Sequence, residues 1–396
     1  MDILFVTATL PYPPTDGAKI RLFSLIKNLA VHHKVSVVSF VTPSDTEEAV
    51  KSLGSHCKEV IVVPKNPAYS LSTLLWGLVS PTPFPILNYW NPAMAAAIRR
   101  IVESNKFDIV QAETLQAAQY CARIKSRKVL DLFDIQSVVM RRYAKQQVNP
   151  LKSIYAYMTA GKLSNYERTI CSQFDHCLTS SPDDKEVLEK ATGLSNVTVI
   201  PNGVDLDACV LSKEESEDDN RIVFVGRMDY AANVDGIHWF CRKVFPLIRA
   251  QHPKVVLQIV GKYPNKGVRR LAIPGQIEVT GYVEDVRPNL RAAAVSVVPL
   301  KVAGGTRLKI LEGLAMGKAI VSTTMGAEGL AVSPGKNILI ADSEEVFARY
   351  VIHLLKDVAL RNRLGRAGRR LAEEHYGWSM IGRRLEELYE RILSKP

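Results

Sequence analysis

PLKVAGGTRLKILEGLAMGKAIVSTTMGAEG, residues 299–329, carries more of the fold than any other stretch of this 396-residue chain. A strand is predicted to end near Pro299, Gly304-Gly305-Thr306 opens a helix predicted over Arg307–Met316, and Ala319–Ser322 reads as the next strand. Strand, glycine loop, helix and strand in quick succession make the βαβ unit of a parallel sheet. The first turn of such a helix presents unpaired backbone N–H groups and a partial positive charge, which suit a phosphate. Glycines let the anion approach the backbone closely. Arg307 and Lys309 add cations where the helix dipole disfavours them, a hint that an anion sits there. Glu312 lies seven residues after Gly305, about 10 Å along the axis at 1.5 Å per residue. That is near the span from a diphosphate to a ribose, whose hydroxyls a carboxylate can accept from. The plainer alternative is a capped helix with a surface glutamate.

The same alternation extends in both directions. Ile3–Thr7, Val35–Val41, Val60–Val63, Ile109–Val110, Val129–Leu132, Cys177–Thr179 and Val197–Ile200 read as short buried strands, with a helix predicted over Ile20–Ala30. After the polar stretch Leu211–Arg221, read as a loop or linker, a second series starts at Ile222–Val225. Val255–Val260, Ile277–Val279 and Val295–Pro299 continue it, with a helix predicted over Asp235–Ala250. Two parallel α/β series predict two doubly wound, Rossmann-like domains, residues 1–200 and 201–378, with ligands at the carboxyl ends of the strands and in the cleft between the domains. A last helix, Ser379–Leu393, carries an apolar stripe of Ile381, Leu385, Leu388 and Ile392 that must cover something.

Composition is globular, 47% hydrophobic and 23% charged, with a formal charge of +11 shared by both halves. Such a balance suggests an anionic partner: a nucleotide, a nucleic acid or an anionic membrane face. The densest basic stretch is Arg123, Lys125, Arg127, Lys128, Arg141, Arg142, Lys145 and Lys152, against Asp131 and Asp134; ordinary solvated helix faces would give the same pattern. The six cysteines form no CxxC pair, which fits free thiols in a reducing cytosol. MDILFV at the N-terminus does not look like a signal peptide, and no apolar run reaches the ~18 residues of a membrane span, Leu71–Val79 coming nearest.

Two further loops point to anion chemistry. Val225-Gly226-Arg227-Met228 ends the first strand of the second series, where an arginine can grip a diphosphate and stabilise it as it leaves. The turn Pro11–Arg21 in the first domain mirrors it, with Gly17, Lys19 and Arg21 at a helix start. No GxGxxG occurs, which disfavours a nicotinamide cofactor.

Together these pieces resemble the retaining glycosyltransferases of family 4, which have the GT-B fold. The likeness spans nearly the whole chain and is carried by PNGVD at 201–205, FVGRMDYAANVDG at 224–236, TGYVEDVRP at 280–288 and residues 304–330. PYPPTDGAKIRLFSL and VLDLFDIQSVVMRRYA are similar to sugar transferases of bacterial exopolysaccharide systems. The resemblance implies a sugar nucleotide on the second domain, an acceptor on the first, and a final helix, residues 379–396, that packs back on the first. It implies retention without a metal. Arg227 would hold the diphosphate and Glu312, the second glutamate of the EX7E motif, the ribose. Gly304, Gly305, Thr306, Arg307, Leu308 and Lys309 would contact phosphate and sugar. Tyr282 and Val283 would meet the base, and Gly17, with Arg21, would approach the donor phosphate.

Several positions depart from the family pattern. The first EX7E glutamate is Gly304. The lysine that follows the arginine by five or six residues is absent, with Ala232 and Asn233 there; Arg307, Lys309 or Lys301 could supply its charge. Two histidine positions hold Phe133 and Glu113, leaving Asp134, with Glu113 behind it, as the candidate to orient the acceptor.

The expected activity is transfer of a hexose from a UDP-, GDP- or ADP-sugar to a glycan or lipid-linked acceptor, with retention, in cell-surface polysaccharide synthesis. Neither a cofactor nor a metal is expected; Asp205-Leu206-Asp207 follows PNG at the hinge and reads as structural. The expected location is cytoplasmic; Leu71–Trp90 reads first as a core-packing helix with an ordered loop, and peripheral contact at the inner membrane face is its alternative. A sugar-nucleotide epimerase of the same fold and a degenerate nucleotide- or glycan-binding protein stay open as rivals. Dispersed charge argues against nucleic acid.

Overall fold

A computed structural model describes residues 1–66, 77, 79–147, 149–209, 217–302 and 308–394. The chain divides into two compact units, Met1–Asn202 with Trp378–Pro396, and Gly203–Gly377.

In the first unit β1 (Asp2–Thr7), β2 (Lys34–Val41), β3 (Glu59–Pro64), β4 (Ile109–Glu113), β5 (Arg127–Leu132), β6 (His176–Thr179) and β7 (Val197–Val199) form a sheet in the order β3-β2-β1-β4-β5-β6-β7. Every pairing in it is parallel. Strands covered on both faces must be apolar on both, and alternate residues divide accordingly. Ile3, Phe5, Ile109 and Val129 enter one core, and Leu4, Val6, Val110 and Leu130 the other.

The stripe of the last helix, Trp378–Ser394, covers this unit. Ile381, Leu385, Leu388 and Ile392 share a core with Leu22, Leu25, Ile26 and Leu29 of the helix Gly17–Leu29. Gly382 lets the helices touch, since a Cβ there would lie 2.7 Å from the Asn28 Cβ. Asp16 starts the helix Gly17–Leu29 by accepting a hydrogen bond from the Lys19 backbone N–H at 3.1 Å.

In the second unit β8 (Asp218–Val225), β9 (Val256–Val260), β10 (Ile277–Gly281), β11 (Ala293–Val298), β12 (Ala319–Ser322) and β13 (Leu339–Ile340) take the order β10-β9-β8-β11-β12-β13, again parallel. Two Rossmann-like α/β units are therefore present, as the strand spacing predicts. Details differ. β8 starts at Asp218, inside the expected linker, because polar residues extend the strand beyond the core. The helix expected over Asp235–Ala250 is Ala231–Trp239, a π-helical turn Phe240–Val244 and Phe245–Gln251. Pro246 lacks the N–H needed to continue the α-helical ladder through that turn.

Candidate active site

The carboxyl ends of β8, β9, β10 and β11 bring the sequence-selected residues of the second unit to one edge of its sheet. Backbone hydrogen bonds lace these ends together: Gly226 N–H to Val260 O at 2.9 Å, Met228 N–H to Lys262 O at 2.8 Å, and Gly261 N–H to Gly281 O at 3.1 Å. The packing requires glycine at 261, where φ is +150° and a Cβ would fall 1.7 Å from the Gly226 carbonyl oxygen.

Arg227 follows directly and is exposed. Its Nε and Nη2 donate to the Asp229 carboxylate at 3.1 and 2.7 Å. That hydrogen bonding holds the Asp229 carboxyl below the usual range. Sequence reasoning singled out the arginine and missed the carboxylate two residues on. It also missed Tyr263, whose ring centre lies 6.0 Å from the guanidinium.

Asn233 is the other residue that sequence alone could not place. It is buried, donates from Nδ2 to the Arg227 carbonyl at 2.8 Å, and accepts from Lys309 Nζ at 2.7 Å. Lys309 lies in the first turn of the helix Leu308–Ala315, and its ammonium also sits 4.4 Å from the Phe224 ring centre. A Cβ on Gly226 would lie 2.8 Å from that ammonium. An ammonium thus stands beside Asn233, in the region of positions 232 and 233 where the resemblance leads to the expectation of a lysine, delivered from a different helix.

Glu312, one turn after Lys309, has a carboxyl pushed up to about 7. Burial is the main cause; the Lys309 and Arg287 charges pull it back, and Asp285 pushes the same way as burial. Arg287 is itself held by Asp285 at 2.8 and 2.9 Å and by the Ala208 carbonyl at 2.9 Å. Tyr282, at the end of β10, is exposed with Lys262 Nζ 4.5 Å from its ring centre, whereas Val283 packs inward against the cluster of Val223, Val260 and Leu290. Gly304, Gly305, Thr306 and Arg307 lie outside the described residues; Leu308 opens the helix that follows them.

The first unit holds one correction. Arg21 is fully buried and does not reach toward a ligand. Its Nε and Nη2 grip Asp131 at 2.8–3.1 Å, while Nη1 donates to the carbonyls of Ile200 and Pro201 and to Asn202 Oδ1 at 2.8–3.1 Å. A helix-borne cation facing a buried carboxylate 110 positions away is a core clamp, and nothing local in the sequence announces it. Glu113 is also interior. It sits in register with Asp131 across β4 and β5, accepts from Gln111 Nε2 at 2.6 Å, and is kept protonated by burial and by the Asp131 charge. Gln111 in turn accepts from the Tyr389 hydroxyl of the last helix. Glu113 is thus engaged in the interior.

Gly17 remains exposed at its helix start. Asp134 lines a pocket of about 250 Å³ with Thr114, Phe133, Gln136, Val139 and Met140. Thr114, the first residue after β4, has φ of 75°, a conformation rare for a β-branched residue, and its hydroxyl finds no hydrogen-bond partner among the described residues. Backbone strain beside an uncommitted hydroxyl and a carboxylate marks this pocket as the unit's candidate for acceptor binding.

Two family models match the chain: Glycosyltransferase Family 4 over residues 15–208 and Glycosyl transferases group 1 over residues 219–357. A 44.6 kDa protein in the cps region of Klebsiella pneumoniae is 20% identical over 90% of this chain and 92% of its own length. A GDP-mannose-dependent mannosyltransferase acting on a monoacylated phosphatidylinositol monomannoside, from Corynebacterium glutamicum, is 28% identical over 37% of this chain and 42% of its own. Among solved structures, sucrose-phosphate synthase from Thermosynechococcus elongatus superposes with a TM-score of 0.76 at 17% identity over all of both chains. Anabaena HepE in complex with UDP gives 0.71 at 16% identity, over 99% of this chain and all of the other. The fold is GT-B.

Proposed function

We propose, for a chain that is a glycosyltransferase of the GT-B type, the transfer of a hexose from a nucleoside-diphosphate sugar to a glycan or lipid-linked acceptor, with retention and without a metal. One observation carries this reading: Arg227, Asn233 and Lys309 are wired together at the end of β8, with Glu312 one helical turn further on. A guanidinium and an ammonium at that point match a pyrophosphate, and the carboxylate matches a ribose. Both cations would also stabilise the nucleoside diphosphate as it leaves. Exposed Tyr282 offers a face for the base. Structural relatives solved with UDP and with UDP-glucose, and a relative that uses GDP-mannose, support a UDP- or GDP-hexose donor. Likeness to a protein in a cps region supports a role in cell-surface polysaccharide synthesis. Asp134 would orient the acceptor. The matched family models favour glycosyl transfer over epimerisation or inert binding.

Thermal unfolding with UDP-, GDP- and ADP-sugars tests the donor. One class should raise the midpoint in proportion to the logarithm of its concentration, and Arg227→Ala and Glu312→Ala should each shrink the rise. Variants that respond like the parent would remove both residues from the site.

Donor affinity should also depend on pH through Glu312. Its folded value of about 7 lies above the unfolded 4.5, so ionising it costs the free protein stability. That cost is absent below the unfolded value, builds as pH rises from about 4.5 to about 7 and is constant above. A ribose binds the ionised carboxylate best, so affinity should fall as pH drops from about 8 to 6. Calorimetric titration across that range should give a slope in the parent and a flatter line in Glu312→Gln. Equal slopes would place Glu312 away from the ribose.

A further inference from the structure

We propose that the hairpin of helices Gln136–Gln146 and Pro150–Cys171 is a docking surface for an anionic lipid bilayer. The inward face of the second helix carries Ala156, Thr159, Ala160 and Leu163. Its outward face carries Leu151, Ile154, Tyr155 and Met158, spaced i, i+3, i+4 and i+7, with Leu151 77%, Ile154 57% and Met158 51% exposed. A helix on a water-facing surface puts polar residues there, so a row of large apolar side chains needs another medium. Val139 and Tyr143, one turn apart on the first helix, are exposed as well.

The charge around this stripe identifies the medium. Residues 135–166 contain five Lys and Arg and no Asp or Glu. Arg141, Lys145 and Lys152 are exposed, and their chains can reach headgroups while apolar neighbours enter the acyl boundary. A second copy docking through the same face would bring like cations together, which opposes a symmetric dimer. The hairpin is also preformed. Glu167 accepts from the Ser137 backbone and hydroxyl at 3.0 and 2.5 Å, and Ser153 Oγ donates to Ala144 O at 2.9 Å.

This places membrane contact on a segment the sequence did not single out for it. Of Leu71–Trp90, where membrane contact is the alternative to core packing, residues 71–76 and 78 lie outside the described residues, and the described Gly77 and Ser80 carbonyls accept from Lys162 of the hairpin at 2.9 and 2.8 Å. Among the described residues no helix is long and apolar enough to cross a membrane, so the contact is interfacial. Val139 and Met140 belong both to the hairpin and to the pocket around Asp134. Docking would bring that pocket to the bilayer surface, within reach of the headgroup of a lipid-linked acceptor. This link to the acceptor rests on the glycosyl-transfer reading; the docking itself does not.

The test is cosedimentation of the full chain with vesicles of phosphatidylcholine alone or mixed with phosphatidylglycerol. The parent should pellet with the mixed vesicles, weakly with the neutral ones, and less as salt rises. Ile154→Glu/Met158→Glu and Lys145→Glu/Lys152→Glu should each lower partitioning by roughly tenfold or more, while thermal stabilisation by the nucleotide sugar is unchanged. That second readout reports folding and the donor site, so its failure is separable from failure of docking. A parent indifferent to phosphatidylglycerol would overturn the proposal, as would variants that pellet like it. So would a parent dimer, seen by light scattering, that the stripe variant dissolves while vesicle binding persists.

Discussion

Asp131→Ala should cost the first unit about 3–5 kcal/mol, enough to leave it largely unfolded at moderate urea. The carboxylate and the Arg21 guanidinium it holds are both fully buried, and every nitrogen of that guanidinium donates to a partner. Deleting the carboxylate strands a cation in the interior, beside carbonyls that satisfy only part of it. Glu113 provides partial relief. It lies in register with Asp131 and holds its proton partly because of the Asp131 charge, so with that charge gone it ionises more readily. The loss should therefore fall toward the lower end of the range and grow on acidification, as Glu113 regains its proton. Arg21→Met/Asp131→Leu removes both charges and should be milder than the single change. Urea unfolding of the three proteins decides the matter. A single variant within about 1 kcal/mol of the parent would show that the clamp is not structural.

This clamp also marks a limit of sequence reading. The strands were legible because short apolar runs between helices can hardly be anything else in a parallel sheet; Ala319–Ser322 has the bounds expected of it. β13 was not legible, since Leu339–Ile340 is too short to show a period. The last helix showed its stripe, but its partner, the helix Gly17–Leu29, lies at the far end of the chain. In the site, the residue types were legible and their pairings were not. Arg21 looked like a cation for a phosphate because Asp131 is 110 positions away, and Lys309 looked interchangeable with Lys301 because Asn233 is 76 positions away. Charge density over 123–152 was visible, yet only exposure distinguishes a solvated helix from the apolar stripe it flanks.

Lys309→Ala should lower kcat by about a hundredfold to a thousandfold, with a smaller effect on KM. Its ammonium lies over Gly226 beside the Arg227 backbone, where the proposed reaction would build charge on the departing diphosphate. Arg227 cannot substitute fully, because Asp229 already holds its Nε and Nη2. The decisive variant adds Asn233→Lys to Lys309→Ala. A lysine at 233 would supply the ammonium from the helix Ala231–Trp239, at one of the two positions where the resemblance leads to the expectation of a lysine, so the double variant should regain much of the lost kcat. Asn233→Lys alone should be harmful, since two ammonium groups would then crowd into a place built for one, without the amide that now bridges Lys309 to the Arg227 carbonyl. Steady-state kinetics on the donor class found by thermal unfolding gives the readout. If Lys309→Ala keeps full kcat, or if the double variant is no better than the single, the ammonium does not act on the leaving group and Lys309 merely fastens Asn233.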